Sequence, residues 1–469
     1  MTATVLHPST TARSAPGRGD EPAPQRTRPT LILVAALLGF FIIGMDASAV
    51  NVALPSIGRT IGGSTAALQW IVDAYTLTFA ALMLSAGALS DRAGANRVYG
   101  LGLAVFTAAS AASGLAPGLG LVIAARLVQG GAAAVMLPSS LALVRQAYPD
   151  PARRAMALAL WTVGGAVSVA LGPVAGGLLT SALDWRWIFF INVPVGLATL
   201  LLLTRVPGSP RRPAALDPAG QAAAAIALGA LIYGLIEGGA HGFTRPSVLA
   251  CLAVFALATT VFLLVEARSA DPMVPLGLFR SKVVVLCITT GFVANAAYYG
   301  TIFLLSLFYQ QVLGLSAVAA GLMFLPTAAL TAVANIASAK AAGRFGPGVP
   351  IAVGQLICAA AMLGLFTVTT HTDKVLVAAL TVPLGFGLGF AVPSLTAAML
   401  GSVEAERAGL AGGVFNSARQ TGGAVAVAAF GTLVSAGGSF VAGMHTSLLV
   451  TAILLVVTAV AAPLMLGRR

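Results

Sequence analysis

The sequence predicts an all-α polytopic membrane protein with fourteen transmembrane helices, arranged as two six-helix halves with a helix pair inserted between them. Three observations lead there. Hydrophobic residues make up 58% of the chain, charged residues only 9%, and the mean hydropathy is +0.95, whereas a soluble domain carries about 25% charged residues. Fourteen stretches approach the roughly 20 apolar residues that a bilayer span requires. They are 31–53, 66–88, 97–116, 119–144, 155–181, 187–205, 219–238, 246–267, 282–311, 316–340, 348–370, 375–400, 407–435 and 445–467. Short strings also recur at similar offsets. Gly164 to Ala170 (GGAVSVA) returns as Gly422 to Ala428 (GGAVAVA), and Pro138-Ser139 returns as Pro393-Ser394. The loop Gly87 to Gly94 (GALSDRAG) has a weaker echo in Ser338 to Gly346. Parallel repeats of this kind build many secondary transporters, with the substrate path near the midplane between the halves.

The net charge of +12 is a topology signal. With the N-terminus inside, twenty Lys and Arg fall on the cytoplasmic side, against Arg59, Arg186, Arg245 and Lys374 outside. That bias fits an even span count with both termini cytoplasmic, and it argues against nucleic acid as the partner. The predicted organisation is a disordered cytoplasmic tail over 1–30, one half over 31–206, a linker with two extra spans over 207–270, and a second half over 271–469. The tail is polar and rich in Pro, Ser, Thr and Arg, unlike a signal peptide. Arginine outnumbers lysine and alanine is abundant, which points to a bacterial source and so to the bacterial cytoplasmic membrane. Cys251, Cys287 and Cys358 lie in separate apolar spans and read as small core residues.

Taken in order, the spans place charge at membrane depth, where it is expensive and usually faces a cavity or a partner. Asp46 lies in span 1, Asp73 in span 2 and Arg126 in span 4. Each is about seven residues from the predicted outer end of its helix, or roughly 10 Å deep at 1.5 Å per residue. One cation and two carboxylates at one level suggest a coupled titrating cluster, with Asp46 or Asp73 as proton carrier and Arg126 as electrostatic switch. Two other readings stand beside it: Asp73 as a site for a cationic substrate, and a static ion pair that only holds helices together. Span 5, Trp161 to Thr180, holds five glycines and Pro173 without any charge. Glycine costs about 1 kcal/mol against alanine in a helix interior, so the run is built for close helix approach and bending. Arg419 in span 13 has no acid within the spans of its half. No nucleophile–base set, metal-ligand cluster or repeated pore segment is visible, which excludes the enzyme and channel classes from the leading readings.

These residues resemble the major facilitator superfamily, specifically its fourteen-helix drug:proton antiporters of the methylenomycin-resistance type. Asp46 to Pro55 (DASAVNVALP) is similar to the first-helix motif. Gly87, Asp91, Arg92, Gly94 and Arg97 match the signature of the loop between spans 2 and 3, where Ala95 and Asn96 replace the usual basic residues. Arg126 to Ala133 (RLVQGGAA) resembles the span 4 motif. Gly165, Gly172, Pro173, Gly176 and Gly177 resemble the antiporter motif of span 5, and Asp184 to Gly196 (DWRWIFFINVPVG) looks typical of the fourteen-helix branch.

The resemblance implies alternating access powered by inward proton movement, with a hydrophobic or amphipathic drug carried outward. The loop signature would act as a cytoplasmic charge latch, weakened here by Ala95 and Asn96. No cofactor is expected beyond the proton gradient, and the molecule is expected to act as a monomer in the lipid bilayer. The cavity candidates are Trp70, Tyr75, Gln129, Asn295, Tyr298, Phe303, Gln310, Phe390, Phe415, Asn416 and Arg419. Without an acid in spans 9–14, small neutral or monocationic substrates are expected over polycations. A dedicated exporter of a self-made secondary metabolite would share every one of these features.

Overall fold

The computed structural model describes residues 29–211, 217–404, 408–436 and 438–466. The predicted tail therefore lies outside the described residues as far as residue 28, and α1 begins at Pro29. The chain is helical throughout its described length. In order the helices are α1 (Pro29–Ile61), α2 (Thr65–Ala93), α3 (Ala95–Leu115), α4 (Leu119–Ala147), α5 (Pro151–Ala182), α6 (Trp187–Phe190) and α7 (Asn192–Leu203). Then come α8 (Pro218–His241), α9 (Pro246–Arg268), α10 (Lys282–Leu307), α11 (Ala317–Leu322) and α12 (Leu325–Phe345). The last four are α13 (Gly348–Leu365), α14 (Lys374–Gly401), α15 (Ala408–Ala436) and α16 (Phe440–Leu466).

Eleven helical segments are long and apolar enough to cross a membrane, and bent α5 makes twelve. Two predicted spans stand outside that count. The sixth is split by Ile191 into α6 and α7, and α15 carries Asn416, Ser417, Arg419 and Gln420 in its first half. Two others are less regular than the sequence suggests. The span from Lys282 ends in a π-helical turn at Phe308–Val312, and the span from Ala317 is broken between α11 and α12.

Helix packing follows the glycines. A side-chain carbon on Gly172 would stand 2.9 Å from Met45 O, and one on Gly176 would stand 2.7 Å from Ala49 O, so α5 lies directly on the α1 backbone. The echo string does the same work elsewhere: Gly422 of α15 meets the backbone of Phe292 in α10. Other contacts recur in the same fashion. Gly130 sets α4 against Tyr75 O of α2, and Gly385 sets α14 against Thr327 O of α12. Such contacts replace the hydrophobic drive that is missing between helices in lipid. α5 also bends by 40° between Met156–Val169 and Leu171–Ala182. Pro173 lacks the N–H that would bond Val169 O, which is the usual cause of a helix bend.

The helices up to α7 meet those from α10 onward along two seams. Gly177 and Pro173 of α5 touch the backbones of Ala317 and Gly321 in α11. Along the other seam, Gln69 Nε2 of α2 donates to Val427 O and Ala428 O of α15, both at 3.2 Å, and Ser417 Oγ donates to Ala80 O at 2.7 Å. Between the seams, Ser306 Oγ and Gln310 Nε2 donate to Asn51 O and Val52 O of α1 at 2.7 and 2.8 Å. Most of these contacts lie toward the predicted outer end. α8 packs on both α2 and α15: Gln221 Nε2 donates to Ala81 O at 2.7 Å, and Leu235 O accepts from Thr432 Oγ1 at 2.8 Å. α9 rests mainly on α8, with only three buried residues, Val248, Ala258 and Glu266.

Gly177 faces backbone that has no room to give, whereas nothing lies within 4 Å of a carbon added at Gly87. Gly177→Leu should lower the unfolding temperature of the purified protein, with an overpacking cost of about 1–3 kcal/mol. Gly87→Ala should leave it unchanged or raise it, because alanine is the better helix former.

Candidate functional site: a buried charge network

Four of the seven helices that precede α8 send polar side chains to one point. Asp46 is buried in the middle of α1, and Arg126 and Gln129 sit one turn apart on the inner face of α4. Arg126 Nη1 forms an ion pair with Asp46 Oδ2 and donates to Gln129 Oε1 at 2.9 Å. Asp46 Oδ1 accepts from Gln129 Nε2 at 3.0 Å and from Asn192 Nδ2 at 2.9 Å. Asn192 also donates to Ser110 Oγ of α3 at 3.0 Å, and Ser110 Oγ donates to Phe189 O at 2.9 Å. The guanidinium is completed from α2, where Ile71 O accepts from Nε at 3.1 Å and the Tyr75 ring lies 4.2 Å beneath. Local structure explains the convergence. Gly130 lets α4 approach the Tyr75 carbonyl, and the break at Ile191 places Asn192 at the first turn of α7.

Of the predicted triad, the structure joins Asp46 and Arg126 and leaves Asp73 apart. Asp73 is fully buried, and neither of its carboxylate oxygens has a hydrogen-bond partner among the described residues. It sits one turn from Gln69 on α2 and between Gln69 and Ala80, the two points at which hydrogen bonds tie α2 to α15. Equal depth along the helices was the basis for grouping the three, and depth leaves the direction of each side chain open.

The predicted cavity residues also divide. Gln129 and Tyr75 belong to the charge network. Trp70 turns to α8, where its ring lies 6.0 Å from that of Tyr233. Phe303 is buried against Val50, Leu54 and Leu307, and Gln310 is bonded to α1, so both help join α10 to α1. Phe390 stacks on Phe386 at 5.7 Å within α14, and Tyr298 meets Tyr299 edge-on at 5.4 Å. Arg419 forms a second cluster: Nε donates to Asn295 Oδ1 at 3.2 Å, Nη1 to Asn416 Oδ1 at 3.4 Å, and Phe415 lies beneath at 5.7 Å. Gln420 Oε1 accepts from Asn295 Nδ2 at 3.2 Å. Asn192, Ser110 and Gln420 escaped the sequence reading. The signal for Asn192 was present, as a lone amide inside the apolar run IFFINVPVG.

The loop signature is a cap as well as a charged turn. Gly94 takes φ +91 between α2 and α3, and a side chain there would stand 3.1 Å from Ser209 O. Asn96, one of the two departures from the expected pattern, donates through Nδ2 to Val206 O and Pro207 O at 3.1 and 3.2 Å. Asp91, Arg92 and Arg97 are exposed and form no ion pair among the described residues.

A buried carboxylate–guanidinium network inside a multi-span, glycine-packed bundle fits the class of helical membrane transporters. The chain belongs to the Major Facilitator Superfamily, whose profile matches residues 36–427. It is 37% identical over 412 residues to the methylenomycin A resistance protein of Streptomyces coelicolor, covering 87% of each chain. It is also 37% identical to the multidrug resistance protein Stp of Mycobacterium tuberculosis, covering 87% of this chain and 76% of that one. A crystal structure of a POT family transporter in complex with 5-aminolevulinic acid shares the fold with a TM-score of 0.71 at 14% identity, covering 94% and 98% of the two chains. The resemblance to drug-resistance exporters of this superfamily is thus established over most of the chain.

Removing one partner of a buried ion pair strands the other charge and costs about 3–5 kcal/mol, whereas Asn192→Ala leaves the pair intact and removes two hydrogen bonds, of which the one to the Asp46 carboxylate costs about 1.5–3 kcal/mol. Asp46→Ala should therefore destabilise the detergent-purified protein more than Asn192→Ala. Equal melting temperatures for the two variants would contradict the network.

Proposed function

We propose that this protein is a proton-coupled antiporter that exports small hydrophobic or amphipathic drugs across the bacterial cytoplasmic membrane by alternating access. The observation that carries the reading is the state of Asp46, whose two oxygens are held by Arg126, Gln129 and Asn192 in a site closed to solvent. A proton on Asp46 would cancel its attraction for Arg126 and leave the guanidinium without its counter-ion. The bundle would then have to rearrange or take up water. Protonation and conformation are coupled by that penalty. Asp73, buried and unpartnered where α2 meets α15, is suited to a second proton or to the positive charge of a monocationic substrate. The drug-resistance names of the relatives support an exported drug as the cargo.

In this reading α6 with α7, and α15, also cross the membrane, bringing the spans to fourteen with both termini cytoplasmic. Residues 31–206 and 271–469 form the two moving halves, with 207–270 inserted between them. The contacts gathered at the predicted outer end correspond to a pathway closed outside. The Arg419 cluster and the rings of Tyr298, Phe390 and Phe415 supply the apolar and amide wall on the second half.

The test is uptake of a fluorescent panel, ethidium and a neutral amphipathic dye, into inverted vesicles with and without a pH gradient. Wild type should accumulate dye only with the gradient. Asp46→Asn should abolish gradient-driven uptake of both dyes, by at least tenfold. Asp73→Asn should do the same if Asp73 carries a proton, and should lose ethidium alone if it recognises charge. Uptake that ignores the gradient, or full activity in both variants, would overturn proton coupling through these residues.

A further inference from the structure

The inserted pair contains a carboxylate arrangement that transport by Asp46 does not use. Asp217 is the N-cap of α8, its Oδ1 accepting from Gly220 N at 2.8 Å. Glu266, in the last turn of α9, is 3% exposed, and its Oε2 accepts from Val274 N at 2.9 Å. The remaining oxygens, Asp217 Oδ2 and Glu266 Oε1, are buried and have no partner among the described residues. They face the same small space: a side-chain carbon on Gly220 would stand 2.5 Å from the first and 2.9 Å from the second. Gly220 is buried, and its missing side chain is what lets the two acids approach.

We propose that Asp217 and Glu266 bind one proton between them, as a carboxylic acid–carboxylate pair that closes the foot of the α8–α9 hairpin. Two like charges facing one buried gap disfavour each other, whereas one proton gives a free oxygen a donor to offer and leaves a single negative charge. A single charge also suits the position, because the positive end of the α8 dipole and the Gly220 amide already face it. A metal ion fits poorly. Among the described residues only two free oxygens face the gap, and hard cations take six or more oxygen ligands.

The side chains packed around neighbouring Met273 and Val274 are apolar: Leu84 of α2, Ala224 of α8, Phe262 of α9, Ile288 of α10 and Val414 of α15. Ser85 Oγ adds a contact to Met273 Sδ at 3.0 Å. Arg268 and Asp271, the charged neighbours along the chain, are exposed. One turn beyond Asp217, Gln221 ties α8 to Ala81 O of α2. The proton therefore sits where the hairpin is anchored to the rest of the bundle.

The experiment is infrared spectroscopy of the full chain in lipid nanodiscs at neutral pH, in an Asp73→Asn background that removes the other buried acid left unpartnered among the described residues. The carbonyl stretch of a protonated carboxylic acid should be present, and it should vanish with Glu266→Gln and with Asp217→Asn. Asparagine is as good an N-cap as aspartate, so the second variant keeps the α8 cap if the first fails to fold. Folding of the parent takes up a proton that the Glu266→Gln chain does not. The parent's unfolding temperature should therefore fall relative to that variant as pH rises above neutral. Persistence of the band in either variant, or superimposable pH–stability curves, would overturn the proposal. So would stabilisation by sodium, potassium or magnesium that is lost with Glu266→Gln, since that would place a metal ion in the gap.

Discussion

The structure depends on one interaction, the ion pair between Asp46 and Arg126. Neither charge reaches solvent, so each is tolerable only because the other is there and because Gln129, Asn192 and the Ile71 carbonyl add hydrogen bonds to the pair. That requirement fixes where α1, α4 and α7 stand, since Gln129 and Asn192 share Asp46 Oδ1. Ser110 of α3 and the Ile71 carbonyl of α2 are drawn in as the next ring of partners. A site of this kind is stiff while charged. Adding one proton removes the term that holds it, which makes it a natural place to link a proton to a change of shape.

Glycine makes the surrounding bundle possible. Interhelical hydrogen bonds in lipid are worth only about 0.6 kcal/mol on average, so backbones must approach closely to gain dispersion contacts. In α5 the same few residues serve two neighbours: Gly172 and Gly176 lie on α1, while Pro173 and Gly177 lie on α11. A shift of α5 would disturb both contacts together. The echo on α15 touches α10 through Gly422 and lacks a proline, so of these two corresponding helices only α5 carries a proline bend. α8 adds polar bonds to α2 and to α15 at opposite ends of its length. The inserted pair is therefore attached to both sides of the α2–α15 seam, with α9 outermost.

Much of this was legible in the sequence because membrane burial makes exceptions conspicuous. Three charges in apolar spans drew attention to Asp46, Asp73 and Arg126, and the glycine strings pointed to close helix pairs. Direction was not legible. Asp73 has the depth of the other two and a different azimuth on its helix, which one-dimensional spacing does not settle. Trp70 and Phe303 read equally well as cavity wall or as packing, and contacts with Tyr233 and with α1 place them in packing. Breaks inside apolar runs were also missed, although Pro194 and Pro326 follow Ile191 and Met323 by three residues, in the first turns of α7 and α12, where proline marks a helix start. Asn96 shows the opposite case: it looked like a loss of charge in a loop, and its amide caps the carbonyls of Val206 and Pro207 instead.

The central claim is that the charge on Asp46 sets the conformation of the bundle. Pulsed electron–electron resonance between spin labels on α1 and α10 at the predicted outer end, compared at acidic and alkaline pH in nanodiscs, tests it most directly. Wild type should show a distance distribution that shifts with pH, and Asp46→Asn should show one distribution, fixed near the wild-type acidic limit. An Asp46→Asn protein whose distances still shift with pH as the wild type's do would contradict the account.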